Sequence, residues 1–152
     1  MSADKNQPQK IFVTGVNGHI GNNIVRDLLE NGYYVKGSVR SLADAKKVDH
    51  VRQHAIDLGC EDRLELVEGD ILDADPWSEL IRGCDSLFHT ATIYSNTDDG
   101  QLIIETAIRG TVHLLTAAKD ADIKRVIYTS SIAAVGNTPK GREKTEADWQ
   151  TE

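Results

Sequence analysis

Between Val13 and Gly21 the chain reads Val-Thr-Gly-Val-Asn-Gly-His-Ile-Gly, which spaces Gly15, Gly18 and Gly21 three residues apart. The run Lys10-Ile11-Phe12-Val13 leads into this stretch, and a helical pattern with Ile20, Ile24 and Leu28 every four residues leaves it. A strand that stops at a glycine turn and restarts as a helix is the opening unit of an open α/β sheet. Gly15 permits a sharp turn, Gly18 keeps a Cβ out of the path of a pyrophosphate, and Gly21 lets the helix pack closely on the strand. The first N–H groups of a helix have no partner within it and sit at the positive end of its dipole, so such a turn attracts an anion. Thr14, Gly15, Asn17, Gly18, His19, Ile20 and Gly21 are therefore the expected phosphate end of a dinucleotide site. The Gly-Lys-Ser/Thr of a nucleotide-hydrolysing loop is missing, which disfavours ATP or GTP hydrolysis.

The rest of the chain alternates strand and helix. Asn31-Gly32 closes the first helix, and Tyr33 to Val39 reads as a second strand. Ser41 and Asp44 form a capping box ahead of a second helix, with Val48, Val51, Ala55 and Leu58 on one face. Arg63 to Val67 alternates as a third strand, Asp75-Pro76 opens a short helix that Gly83 ends, and Ser86-Leu87-Phe88 is a fourth strand running into His89-Thr90-Ala91. A long helix is expected from about Asp99 to Lys119, where Gly110 costs about 1 kcal/mol in propensity and so marks a point of close packing. Arg125 to Thr129 is a fifth strand, apolar enough to be buried on both faces. Strands separated by helices imply right-handed parallel crossovers and a doubly wound parallel sheet, a Rossmann fold, of order 3-2-1-4-5. Residues 1–9 form a polar tail, 10–135 the domain, and 136–152 a polar, irregular tail.

Composition narrows the function. With 152 residues, 39% of them hydrophobic, the chain supports one core, and a net charge of −7 argues against nucleic acid as a partner. Neither a signal-peptide core nor a run of about 18 apolar residues occurs, so a cytoplasmic protein without a membrane span is expected. Cys60 and Cys84 read as reduced structural thiols, and His50 and His54, one turn apart without a third ligand at metal spacing, as a solvated helix face.

The spacing Thr14-Gly15-x-x-Gly18-x-x-Gly21 and the string Gly83-Cys84-Asp85-Ser86-Leu87-Phe88-His89-Thr90-Ala91 resemble the extended short-chain dehydrogenase/reductase family, in its dihydroflavonol-reductase-like branch. The resemblance covers nearly all of this chain but only the amino-terminal part of the family. In this fold an acid after the second strand reads the ribose 2′-hydroxyl of NAD; here Ser38-Val39-Arg40-Ser41 offers no acid, and Arg40 presents a planar fork suited to a 2′-phosphate. With Lys46 and Lys47 nearby, NADP is favoured over NAD. The resemblance further implies that Asp70 accepts from the adenine amino group, that Ile71 covers a ring face, and that Thr90-Ala91-Thr92 runs past the nicotinamide-side ribose. It implies that Ser131, ending the fifth strand, is a catalytic hydrogen-bond donor to a substrate carbonyl, supported by Thr129.

The family's proton donor is a tyrosine with a lysine four residues on. None of Tyr33, Tyr34, Tyr94 and Tyr128 has one; the chain stops shortly before the place where the motif is expected. Ala107 stands where many epimerase-type members carry asparagine, which leans toward a reductase. Two readings follow. One is an NADP-dependent oxidoreductase, or its cofactor-binding fragment, acting on a small-molecule ketone or alcohol. The other is a non-catalytic NAD(P)-binding module or sensor, or an NAD-dependent sugar-nucleotide epimerase/dehydratase. A fifth strand without its next neighbour leaves an open edge, from which a homodimer is expected.

Overall fold

The computed structural model describes residues 8–92, 100–135, 141–145 and 147–149. Its elements are β1 (Lys10–Thr14), α1 (His19–Glu30), β2 (Tyr34–Val39), α2 (Asp49–Asp57), β3 (Leu64–Glu68), α3 (Trp77–Leu80), β4 (Ser86–His89), α4 (Gly100–Asp120) and β5 (Arg125–Tyr128). The strands form one parallel sheet in the expected order β3-β2-β1-β4-β5. The order reverses at β1, so the carboxyl ends of β1 and β4 flank the crevice where ligands of such sheets bind.

Each face of the sheet carries one core. Ile11, Val13, Val35 and Val39 point to the side covered by Val25, Leu28 and Leu29 of α1 and by Val51 and Ala55 of α2. Phe12 and Leu87 point to the other side, against Trp77, Leu114, Ala117 and Ala118. Successive strand residues face opposite ways, which is why Phe12 and Val13 serve different cores. Gly110 is the close-packing point expected of it: a Cβ there would lie 3.2 Å from both Cβ and the carbonyl oxygen of Ile71.

Four expectations are corrected. The buried face of α1 is Gly21, Val25, Leu28 and Leu29, whereas Ile20 is 50% exposed at the helix start. Ser41 and Asp44 form no capping box; the Ser41 hydroxyl accepts the Ala43 N–H (3.2 Å), a 3₁₀ turn over Ala45–Lys47 intervenes, and α2 starts at Asp49, its Leu58 end lying 39% exposed. β5 is an edge strand, its Val126 and Tyr128 36% and 51% exposed, because apolarity becomes burial only where a layer covers the strand. The tail is not wholly irregular either. Val135 bridges Trp149 antiparallel, and the Asp148 carboxylate accepts from Arg142 and from the Thr145 N–H (2.8 Å). The Arg142 guanidinium holds the Asp148 carboxyl down to about 2.

The start of the long helix at Asp99, and Tyr94, lie outside the described residues. Cys60 and Cys84 are buried free thiols, and burial pushes Cys84 up to about 11. His54, rather than being merely solvated, is within 3.0 Å of the Asn22 side-chain oxygen and links α2 to α1. Among the described residues no helix is long and apolar enough to cross a membrane.

Candidate dinucleotide site

The turn from β1 to α1 is built by its glycines. Gly15 has φ +66°, and a Cβ there would come within 3.0 Å of the Ala91 backbone. Gly18 adopts extended backbone as the residue before α1, with its N–H donating to the Gly15 carbonyl (3.0 Å). A Cβ on Gly18 would have only that carbonyl oxygen, at 3.3 Å, within 4 Å among the described residues. A Cβ on Gly21 would overlap the Gly15 carbonyl outright.

The amides of this turn divide into two groups. The Val16 N–H donates to the Ser38 carbonyl (3.1 Å), and the first helical bond runs from the Asn22 N–H to the Gly18 carbonyl (2.9 Å). The N–H groups of Asn17, His19, Ile20 and Gly21 find no acceptor among the described residues, and no side chain caps the helix. Its first turn carries no acidic residue. Orphan amides at a helix start, with the dipole behind them and no acidic residue in the helix's own first turn, fit the pyrophosphate of a dinucleotide.

The adjacent turn leaves the end of β4. Thr14 and His89 are directly paired in the sheet. The Thr14 hydroxyl accepts the N–H groups of Thr90 and Ala91, both at 3.0 Å, and lies 3.0 Å from His89 Nδ1. The Thr90 hydroxyl in turn donates to the Thr14 carbonyl at 2.5 Å. Thr14 is fully buried, and its hydroxyl is occupied by these protein partners. His89 is 4% exposed, its ring edge-on to Tyr128 with centroids 5.1 Å apart, and burial pushes it down to about 4, so the imidazole is neutral near neutral pH.

The remaining candidates sit at the carboxyl ends of their strands. Arg40 follows β2, exposed and without a hydrogen bond or ion pair among the described residues. Lys46 is likewise exposed and unpaired there, whereas Lys47 lies 3.6 Å from Asp44. Asp70 follows β3; its Oδ1 accepts the Leu72 N–H (2.9 Å), and its Oδ2 has no hydrogen bond among the described residues. Ile71 is 7% exposed and packs into the second core against Gly110, the absent Cβ of which makes room for it. Thr92 is exposed at the end of the Thr90–Thr92 turn. The Thr129 N–H donates to the His89 carbonyl (3.1 Å), which brings the end of β5 and exposed Ser131 beside that turn.

Two residues escape a reading of the sequence. His89 looks like a continuation of the β4 pattern, and its role appears only once β4 is placed beside β1. Glu68 at the end of β3 accepts the Leu42 N–H (2.6 Å), so a carboxylate anchors the loop that carries Arg40. A separate groove of about 350 Å³ lies at the opposite ends of the strands, between the end of α1 and the uncovered faces of β4 and β5, lined by Ile11, Leu28, Phe88 and Ile127. The Gly15–Gly21 turn and its orphan amides are not part of its lining; they lie at the carboxyl ends of the strands.

Sheet order, glycine turn and orphan amides together define a dinucleotide-binding α/β domain. A family model described as the NAD dependent epimerase/dehydratase family matches residues 11–151, and the chain belongs to that family. It is similar to cinnamoyl-CoA reductase 1 of Petunia hybrida, 41% identical over 140 residues, which are 92% of this chain and 40% of the relative. A putative dihydroflavonol 4-reductase of Synechocystis is 36% identical over 137 residues, covering 90% of this chain and 36% of that protein. Among solved structures, yeast methylglyoxal/isovaleraldehyde reductase complexed with NADPH superimposes with a TM-score of 0.77 at 26% identity, over 94% of this chain and 44% of that one. The chain thus spans about two fifths of the length of these relatives.

Proposed function

We propose that this chain is the NADP(H)-binding half of a carbonyl reductase that passes hydride between NADPH and a ketone or alcohol. The observation that carries the reading is the row of orphan amides from Asn17 to Gly21 under a space that Gly18 leaves open. The coenzyme supplies the hydride. The turn amides bind its phosphates, Arg40 pairs with the 2′-phosphate in a bidentate fork, helped by Lys46, and Asp70 Oδ2 accepts from the adenine amino group. The Thr90–Thr92 turn lines the nicotinamide side, and the Ser131 hydroxyl orients the substrate carbonyl by donating to its oxygen. The relatives named as reductases support this chemistry over sugar-nucleotide epimerisation, as does Ala107.

The second reading, a binding module without chemistry, is favoured by one feature: no tyrosine among the 152 residues has a lysine four positions on. A fluorescence titration of the 152-residue chain with NADPH tests the first reading; saturable binding competed by NADP⁺ is expected, and no binding at millimolar coenzyme would overturn it. The same chain mixed with NADPH and a panel of aldehydes and ketones is expected to leave NADPH unoxidised. Carbonyl-dependent oxidation would show that these residues already hold the proton donor.

A further inference from the structure

We infer that His89 is a positioning residue for the dinucleotide trough, holding the phosphate turn and the Thr90–Thr92 turn at a fixed separation by accepting the Thr14 hydroxyl proton. The inference rests on the coenzyme reading above and concerns a residue that touches no ligand.

A hydroxyl has two lone pairs and one proton. The Thr14 hydroxyl spends both lone pairs on the N–H groups of Thr90 and Ala91. Its proton must then leave in a third direction, and His89 Nδ1 stands there at 3.0 Å. This network assigns the tautomer: Nδ1 is the acceptor and the ring proton is on Nε2. Burial that keeps the imidazole neutral keeps that lone pair available. Remove the acceptor, and the hydroxyl proton either goes unsatisfied in a buried site or rotates into one of the two N–H groups and expels it.

The consequence reaches the trough because there is no slack between the two turns. Thr14 immediately precedes Gly15, and Gly15 lies so close to Ala91 that a Cβ would come within 3.0 Å of its Cα. A shift of the 90–92 backbone therefore changes the distance from the orphan amides of His19 and Ile20 to the nicotinamide side. A coenzyme spanning both turns reads that distance. A fragment confined to the Arg40 end does not.

The test compares NADPH with adenosine 2′-phosphate on the wild-type chain, His89→Leu, His89→Gln and His89→Asn. Asn places its Oδ1 where Nδ1 sits, whereas Gln keeps size and polarity but puts its acceptor elsewhere. His89→Leu and His89→Gln are expected to weaken NADPH about tenfold, the loss of one buried hydrogen bond, while adenosine 2′-phosphate changes less than about twofold. His89→Asn is expected to stay within about threefold of wild type for both probes. Equal weakening of both probes, unchanged NADPH affinity in Leu and Gln, or failure of Asn to restore binding would each overturn the assignment. A wild-type chain that binds neither probe overturns the coenzyme reading instead. Amide exchange at Thr90 and Ala91 then decides the His89 contact by itself, with faster exchange in Gln and wild-type rates in Asn expected, and unchanged rates in Gln overturning it.

Discussion

A Cβ on Gly21 would collide with the carbonyl oxygen of Gly15 and lie 3.0 Å from the Thr90 hydroxyl, so the first turn of α1 rests directly on the turn that precedes it. This contact fixes where the orphan amides point. The neighbouring glycine differs: a Cβ on Gly18 has only the Gly15 carbonyl nearby, at 3.3 Å. Gly21→Ala is thus expected to cost about 1–3 kcal/mol by overpacking, and Gly18→Ala less than about 1 kcal/mol. Both are expected to weaken NADPH, Gly21→Ala by distorting the turn and Gly18→Ala by filling the space above it. Urea titrations and NADPH fluorescence on the same samples separate the two effects.

Arg40 stands exposed at the end of β2 with no hydrogen bond or ion pair among the described residues. Arg40→Glu replaces a charge-assisted fork by a like charge, and is expected to raise the Kd for NADPH by about ten- to a hundredfold while NADH changes little. Parallel titrations with the two coenzymes decide it. Equal effects would remove the NADP assignment.

Gly110 opposes two effects of similar size. Alanine there gains about 1 kcal/mol of helix propensity, but its Cβ would sit 3.2 Å from the Ile71 carbonyl and Cβ. Neither neighbour is the free end of a flexible chain, and overpacking costs about 1–3 kcal/mol. Gly110→Ala is therefore expected to lower stability by about 1 kcal/mol in chemical denaturation, with Asp70 displaced along with Ile71 and NADPH affinity reduced.

The buried imidazole of His89 gives stability a defined pH dependence. Its value in the folded chain is about 4, against 6.5 for an unburied histidine. Between these values the unfolded chain takes up a proton that the folded chain refuses, so stability falls as pH drops from about 6.5 to about 4 and this contribution then levels off. The full loss is about 3 kcal/mol, and His89→Asn is expected to abolish this part of the slope in thermal melts taken across that range.

Among the described residues no strand pairs with the outer edge of β5, beside which Val126 and Tyr128 are exposed, and association with a second copy through that edge is the expectation to test. Light scattering is expected to show mass rising with concentration, and Val126→Lys to suppress the rise. A constant monomer mass in both would exclude the edge as an association site.

What was legible in the sequence was local. The glycine spacing between a β-branched strand and a helix announced the turn, and alternating strand and helix segments announced the parallel sheet with its order, because right-handed crossovers leave few alternatives. Gly110 announced close packing, since a mid-helix glycine has to be offset by something. Less legible were features that depend on what covers an element: the apolar run of β5 is the same whether or not a layer lies over it, and Ile20 follows the α1 pattern yet falls at a helix end where nothing packs.

The amino-acid sequence by itself determined the phosphate turn, the basic residue after β2 and the sheet they belong to, because backbone freedom at glycine and periodic apolarity act over a few neighbouring residues. Only the tertiary structure decided that the Thr14 hydroxyl meets His89, that Glu68 holds the loop of Arg40, and that Ile71 lies under Gly110. Those partners stand 75, 26 and 39 residues apart in the chain, and hydrogen bonding and packing at that separation exist only once parallel strands and the helices on them have been set side by side.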